Sequence, residues 1–163
     1  MKKIIFIEDS SFYYKIVSDI CSELYVPLYP KDKTEFQNLR SAFPVVLARP
    51  GAYKPEFQDM RTKWVSEELV KYIGDTNDED ILCICDYQLS EARPEATGVT
   101  FYERFLGEKA VMIISATTNK EEIDLIINFC SAKPDRVFVQ KNSDDPLVFK
   151  KLLATLITAF SLL

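Results

Sequence analysis

Four short apolar runs in this chain each stop at polar residues. Ile4-Ile5-Phe6-Ile7 stops at Glu8-Asp9, the run 81–85 at Asp86, the run 111–114 at Ser115-Ala116, and the run 136–140 at Lys141. Three carboxylates, a hydroxyl and an ammonium suit a divalent metal and a phosphoryl group. Magnesium takes oxygen ligands from one or two carboxylates and from phosphate. Phosphoryl transfer is mostly positioning and charge neutralisation, which a metal and a lysine supply. This chemistry requires the four stops to be neighbours. In a parallel sheet they are, because every strand ends on one edge, where open α/β folds place their sites.

The pattern along the chain supports such a sheet. Residues 3–7 read as a buried strand, and Ser10 or Ser11 caps a helix with apolar positions Phe12, Ile16, Val17, Ile20 and Leu24. The run 44–48 reads as a second strand, with Pro44 at its first position, after a short helix over 33–43. A helix over 61–73 ends at Gly74. The loop 75–80 is acidic but lacks the ligand spacing of a calcium loop, so it reads as a solvated turn. Strand 81–85, helix 99–106, strand 110–114, helix 119–132, strand 136–140 and a last helix opened by Pro146 complete the alternation. Strands and helices alternating about five times predict an α/β fold: a doubly wound five-stranded parallel sheet with helices on both faces.

Composition narrows the function. At 163 residues the chain reads as one domain, 1–163, with an atypical decoration at 25–61. A net charge of −5 argues against nucleic-acid binding through this domain. No run approaches a membrane span and the N-terminal apolar run is too short for a signal peptide, so the expectation is a cytoplasmic protein without membrane contact. The four cysteines read as buried reduced thiols, and the absence of histidine removes Ser-His-Asp and Cys-His catalysis. On the last helix, Leu147, Val148, Leu152, Leu156 and Phe160 are expected to face the sheet. Leu153, Ile157 and Leu163 then remain as surplus apolar surface, for a homodimer contact or a further domain.

Taken together, the residues at the strand ends resemble the receiver domain of bacterial response regulators, over 3–24 and 80–160. The acidic pair Glu8-Asp9, the aspartate Asp86, Ser115-Ala116 and Lys141 fall at the matching strand ends in the matching order. Phe138 lies three residues before the lysine. The resemblance implies a flavodoxin-like receiver fold of two-component signalling. It implies Mg2+ held by Glu8, Asp9, Asp86 and the backbone carbonyl of Gln88. Asp86 would be the phosphoacceptor, assisted by Lys141 and Ser115, and Ser115 and Phe138 would form the switch. The implied partner is a histidine kinase or phosphotransfer protein, and the implied role is a signalling switch rather than an enzyme.

The residues also fit that chemistry by themselves. Asp86 can attack a phosphoryl group to give an aspartyl phosphate, and a Ser115 bond to a phosphoryl oxygen would draw its loop inward. Taken singly, each has a plainer role: Glu8 a helix cap, Lys141 a surface charge, Ser115 a turn residue, Phe138 core. Their coincidence carries the reading. Three features depart from the family pattern. Asn142 stands where a proline follows the lysine. The loop after Asp86 is long and carries Glu91, Arg93 and Glu95. The stretch between the first helix and third strand is far longer than one strand and one helix. The odd loops favour the alternative of a pseudo-receiver that binds partners without phosphorylation, and the complete set of acids with Lys141 argues against it. A magnesium-dependent phosphohydrolase is a third reading, disfavoured because Gln88 stands where that class carries a second acid.

Overall fold

The computed structural model describes residues 1–141 and 144–163; the expectation attached to Asn142 falls outside the described residues. Five parallel strands form one sheet: β1 (Lys3–Ile7), β2 (Leu28–Tyr29), β3 (Ile81–Asp86), β4 (Ala110–Ser115) and β5 (Arg136–Gln140), in the order β2-β1-β3-β4-β5. The fold is α/β and doubly wound, with flavodoxin-like strand order. Among the described residues six α-helices connect and cover the strands: α1 (Ser11–Glu23), α2 (Lys33–Val46), α3 (Pro55–Ile73), α4 (Gly98–Phe105), α5 (Lys120–Ser131) and α6 (Pro146–Ser161).

Burial on both faces explains why the central strands read as continuous apolar runs. All six residues of β3 are buried. Alternate strand residues feed two cores. Ile4, Phe6, Leu82, Ile84, Met112 and Ile114 pack beneath α1 and α6. Ile5, Ile7, Cys83, Cys85, Val111 and Ile113 pack beneath α2 to α5. Strand order reverses between β1 and β3, so the crevice at their carboxyl ends is where a ligand site is expected.

The second strand differs from the sequence expectation. It is Leu28–Tyr29, two residues paired with Ile4 and Ile5. The run 44–48 is instead the end of α2 and the turn after it, with Pro44 inside the helix. A short apolar run has no period that separates strand from buried helix. The helix end is secured from far along the chain. Gln58 Nε2 donates to the carbonyls of Val45 (3.0 Å) and Ala48 (3.2 Å), and Arg104 Nη1 donates to that of Val46 (2.7 Å). These bonds satisfy carbonyls that a helix terminus leaves open. The following helix also starts earlier than expected, because Pro55 occupies its first turn, where a missing N–H costs nothing. Gly74, at φ 56°, ends it.

The decoration therefore holds one added helix, α2, and the start of an ordinary crossover helix, α3. α3 returns the chain to β3, and Lys3 Nζ donates to the Tyr72 carbonyl at its end (2.8 Å). α2 spans both cores: Phe36 packs edge-on to Tyr14 of α1, whereas Leu39, Phe43 and Val46 lie in the opposite core.

The face of the last helix also differs. On α6 the buried stripe is Phe149, Leu153, Ile157 and Phe160, while Leu147, Val148 and Leu152 are exposed. The stripe is thus turned toward residues the sequence left as surplus; a helix with so narrow a polar face has little to set its rotation. On α5, Ile126 is buried and Ile127 exposed. The acidic loop is pinned rather than only solvated, since Asp78 pairs with Lys109 (3.1 Å) and Asp80 with Lys2 (3.0 Å). All four cysteines are free thiols, and burial pushes Cys21 and Cys83 up to about 12. Among the described residues no helix is long and apolar enough to cross a membrane.

Candidate active site

The site begins with strand register. Ile7 is opposite Cys85, Asp86 opposite Ile114, and Ser115 opposite Gln140. The residues that follow each strand are therefore brought to one edge. Two backbone bonds tie the loops there: Tyr87 N donates to the Ile114 carbonyl (2.9 Å) and Lys141 N to the Ser115 carbonyl (2.7 Å).

Glu8, Asp9 and Asp86 form one cluster whose ligand oxygens all lie within 4.8 Å of one another. Lys141 Nζ sits between two of them, 2.9 Å from Glu8 Oε2 and 2.9 Å from Asp86 Oδ1. Glu8 Oε1 accepts from the backbone N–H groups of Asp9 (3.0 Å) and Ser10 (3.1 Å). Glu8 thus fixes the turn that starts α1 as well as facing the lysine. It is 1 % exposed, and Asp86 and Lys141 are also buried.

Burial dominates the protonation of the acids. It raises the Glu8 carboxyl from 4.5 to about 7, with repulsion from Asp86 adding to the rise and Lys141 opposing it. Burial raises Asp9 to about 6, helped by its bond to and the charge of Glu8. Asp86 is raised by burial and held back by Lys141. Burial alone would lower the Lys141 ammonium; Glu8 and Asp86 outweigh it and hold the group above its ordinary value. With three acids around one ammonium, the cluster is net negative whenever its carboxyls are ionised. That electrostatic imbalance, with oxygen-only donors, fits a hard divalent cation.

The remaining predicted residues lie at the same edge. Ser115 is buried, and its Oγ accepts from Thr117 N (3.1 Å). Phe138 is partly buried against the core beneath α2 to α5. Gln88 forms an isolated bridge with Thr97, flanked by Leu89 N to the Ala96 carbonyl (2.9 Å) and Gly98 N to the Tyr87 carbonyl (2.8 Å). The Gln88 carbonyl takes part in neither bond. Its side-chain amide donates to the Ser90 carbonyl (2.9 Å), which folds the loop back on itself.

Sequence reasoning missed three residues at this edge. Tyr13 presents its ring 4.0 Å from Lys141 Nζ, a cation–π contact that steadies the ammonium, and it meets Phe149 of α6 edge-on. Its signal was its position in the first turns of the helix that leaves Glu8-Asp9. Gly98 lies against Asp86: a Cβ there would stand 2.1 Å from the Asp86 carbonyl oxygen. Arg40 of α2 shares a cavity with Asp9, and no local pattern announces that. A larger cavity, about 520 Å³ between α1 and α2, contains none of the clustered acids, so size does not mark the chemical site here.

Comparison with family models, with curated proteins and with solved structures finds no match to this chain.

Proposed function

We propose that this chain is a phosphorylatable receiver, a signalling switch that accepts a phosphoryl group on Asp86. The observation that carries the reading is Lys141 bridging Glu8 and Asp86 while Asp9 completes a three-acid cluster. A carboxylate nucleophile, an ammonium beside it and two further acids for Mg2+ form the minimal set for phosphoryl transfer to aspartate.

In this reading an Asp86 carboxylate oxygen attacks phosphorus, the bond from phosphorus to the donor breaks, and its electron pair leaves with the donor. Lys141, already at 2.9 Å from Oδ1, offsets charge on the phosphoryl oxygens. Glu8, Asp9, Asp86 and the Gln88 carbonyl would hold Mg2+, which supplies further neutralisation of the oxygens in flight. The Ser115 hydroxyl, released from Thr117 N, is the donor that would report the new charge to the loop after β4, and Phe138 on neighbouring β5 is the switch residue. The donor protein would be a histidine kinase or phosphotransfer protein, and the working compartment the cytoplasm.

A partner-binding module that is never phosphorylated is the second reading. It is favoured by the departures from the family pattern, the long loop after Asp86 and the added helix α2. Incubation with Mg2+ and phosphoramidate or beryllofluoride separates the two, read by intact mass and NMR with Asp86→Asn as control. A mass gain or ligand-induced shifts lost in Asp86→Asn support the receiver. A folded wild type that shows neither sinks it.

A further inference from the structure

The added helix α2 contributes a wall to the acidic centre. A cavity of about 330 Å³ is lined by Asp9, Arg40, Pro44, Leu89, Ser90 and Glu91. Asp9 belongs both to this lining and to the three-acid cluster, so the cavity opens beside the phosphoryl-transfer centre. Arg40 is exposed and makes no ion pair or hydrogen bond among the described residues. Ser90 is only 8 % exposed, yet its hydroxyl has no protein partner among them; only its backbone carbonyl is used, by Gln88. Among the described residues the only fully enclosed side-chain polar atom without a partner is Arg136 Nε, so the Ser90 hydroxyl is reached from the cavity and is free to donate to a ligand there. Here it lines a space that also holds a guanidinium and two apolar walls, Pro44 and Leu89.

We propose that this cavity is a subsite for the leaving group of a small acyl phosphate, with Arg40 and the Ser90 hydroxyl receiving the carboxylate that departs. The inference rests on Asp86 being a phosphoacceptor. The step balances without a proton or a co-reactant. An Asp86 carboxylate oxygen forms the new bond to phosphorus, the bond from phosphorus to the acyl oxygen breaks, and the electron pair stays on that oxygen. A carboxylate is consumed and a carboxylate is released. Negative charge therefore grows on the leaving oxygen during transfer, and a guanidinium with a hydroxyl is a suitable receiver for it. The short acyl chain would lie against Pro44 and Leu89. Glu91, exposed on the same lining, opposes the negative charge that grows on the leaving acyl oxygen and limits that rate.

Two donors with different leaving groups test this. Acetyl phosphate releases a carboxylate; phosphoramidate releases ammonia and has no use for the subsite. Labelling of Asp86 is followed by intact mass in Mg2+ for the wild type, Arg40→Gln, Ser90→Ala and Glu91→Gln. Arg40 is exposed, so its substitution leaves the core intact, and equal beryllofluoride binding checks that the centre is unchanged. Arg40→Gln is expected to slow acetyl phosphate about tenfold, the loss of one charge-assisted hydrogen bond. Ser90→Ala slows it less, Glu91→Gln accelerates it, and all three leave the phosphoramidate rate unchanged. Equal effects on both donors, or none on either, overturn the subsite while leaving the receiver in place. A wild type unlabelled by phosphoramidate overturns the receiver, and the subsite with it.

Discussion

Glu8 carries a measurable consequence of burying three acids around one lysine. Its pKa rises from 4.5 to about 7 on folding, chiefly through burial. A carboxyl raised in this way binds its proton more tightly in the native state than in the unfolded one. Its stabilising share is fully present below about pH 4.5 and is lost as the pH rises through 7. A rise of this size corresponds to about 3 kcal/mol at most, and sharing of protons with Asp9 and Asp86 reduces what Glu8 alone delivers. For a chain of this length each kcal/mol moves Tm by about 2–4 °C. The metal-free wild type should therefore lose about 5–10 °C relative to Glu8→Gln between roughly pH 4.5 and 8. Glutamine keeps an oxygen for the Asp9 and Ser10 N–H groups but turns its amide nitrogen, a donor, toward Lys141; it has no proton to exchange, so the lost Lys141 bond is an offset and the test is how the difference changes with pH. The assay is thermal unfolding of both proteins in a chelator across that range. A pH-independent difference, or one that grows in favour of the wild type with rising pH, refutes the charge balance derived for the cluster. Added Mg2+ should shrink the difference above pH 7, where the acids are ionised, and have little effect near pH 5, where protons compete with the metal.

Two further outcomes follow from the packing around the site. Gly98→Ala places a methyl 2.1 Å from the Asp86 carbonyl oxygen and 2.9 Å from its carbon. It should cost about 1–3 kcal/mol in urea unfolding and weaken the NMR response to Mg2+; wild-type values for both would show that the approach is not needed. Arg104→Leu removes the donor to the Val46 carbonyl and should destabilise by about 1–2 kcal/mol, with Gln58→Leu acting similarly through Val45 and Ala48; an unchanged urea midpoint in both would mean that water caps the end of α2.

Much of this protein is legible along its sequence. The apolar runs of β1, β3 and β4, each ended by a polar residue, determine a buried parallel sheet, because strands covered on both faces admit few polar positions. The same ends determine that Glu8, Asp9, Asp86, Ser115 and Lys141 share an edge, because parallel strands finish together. What tertiary structure alone decided lies mainly in 25–61. Residues 44–48 are helix and turn rather than strand because Gln58 and Arg104 satisfy the carbonyls there, and partners so distant leave no trace in a local window. The rotation of α6 was likewise undetermined. With apolar residues around most of the helix, only the shape of the core beneath it selects Leu153 and Ile157 for burial and leaves Leu147, Val148 and Leu152 outside. The meeting of Arg40, Ser90 and Asp9 around one cavity is also a tertiary result, because it depends on where α2 crosses between the two cores and not on any spacing along the chain.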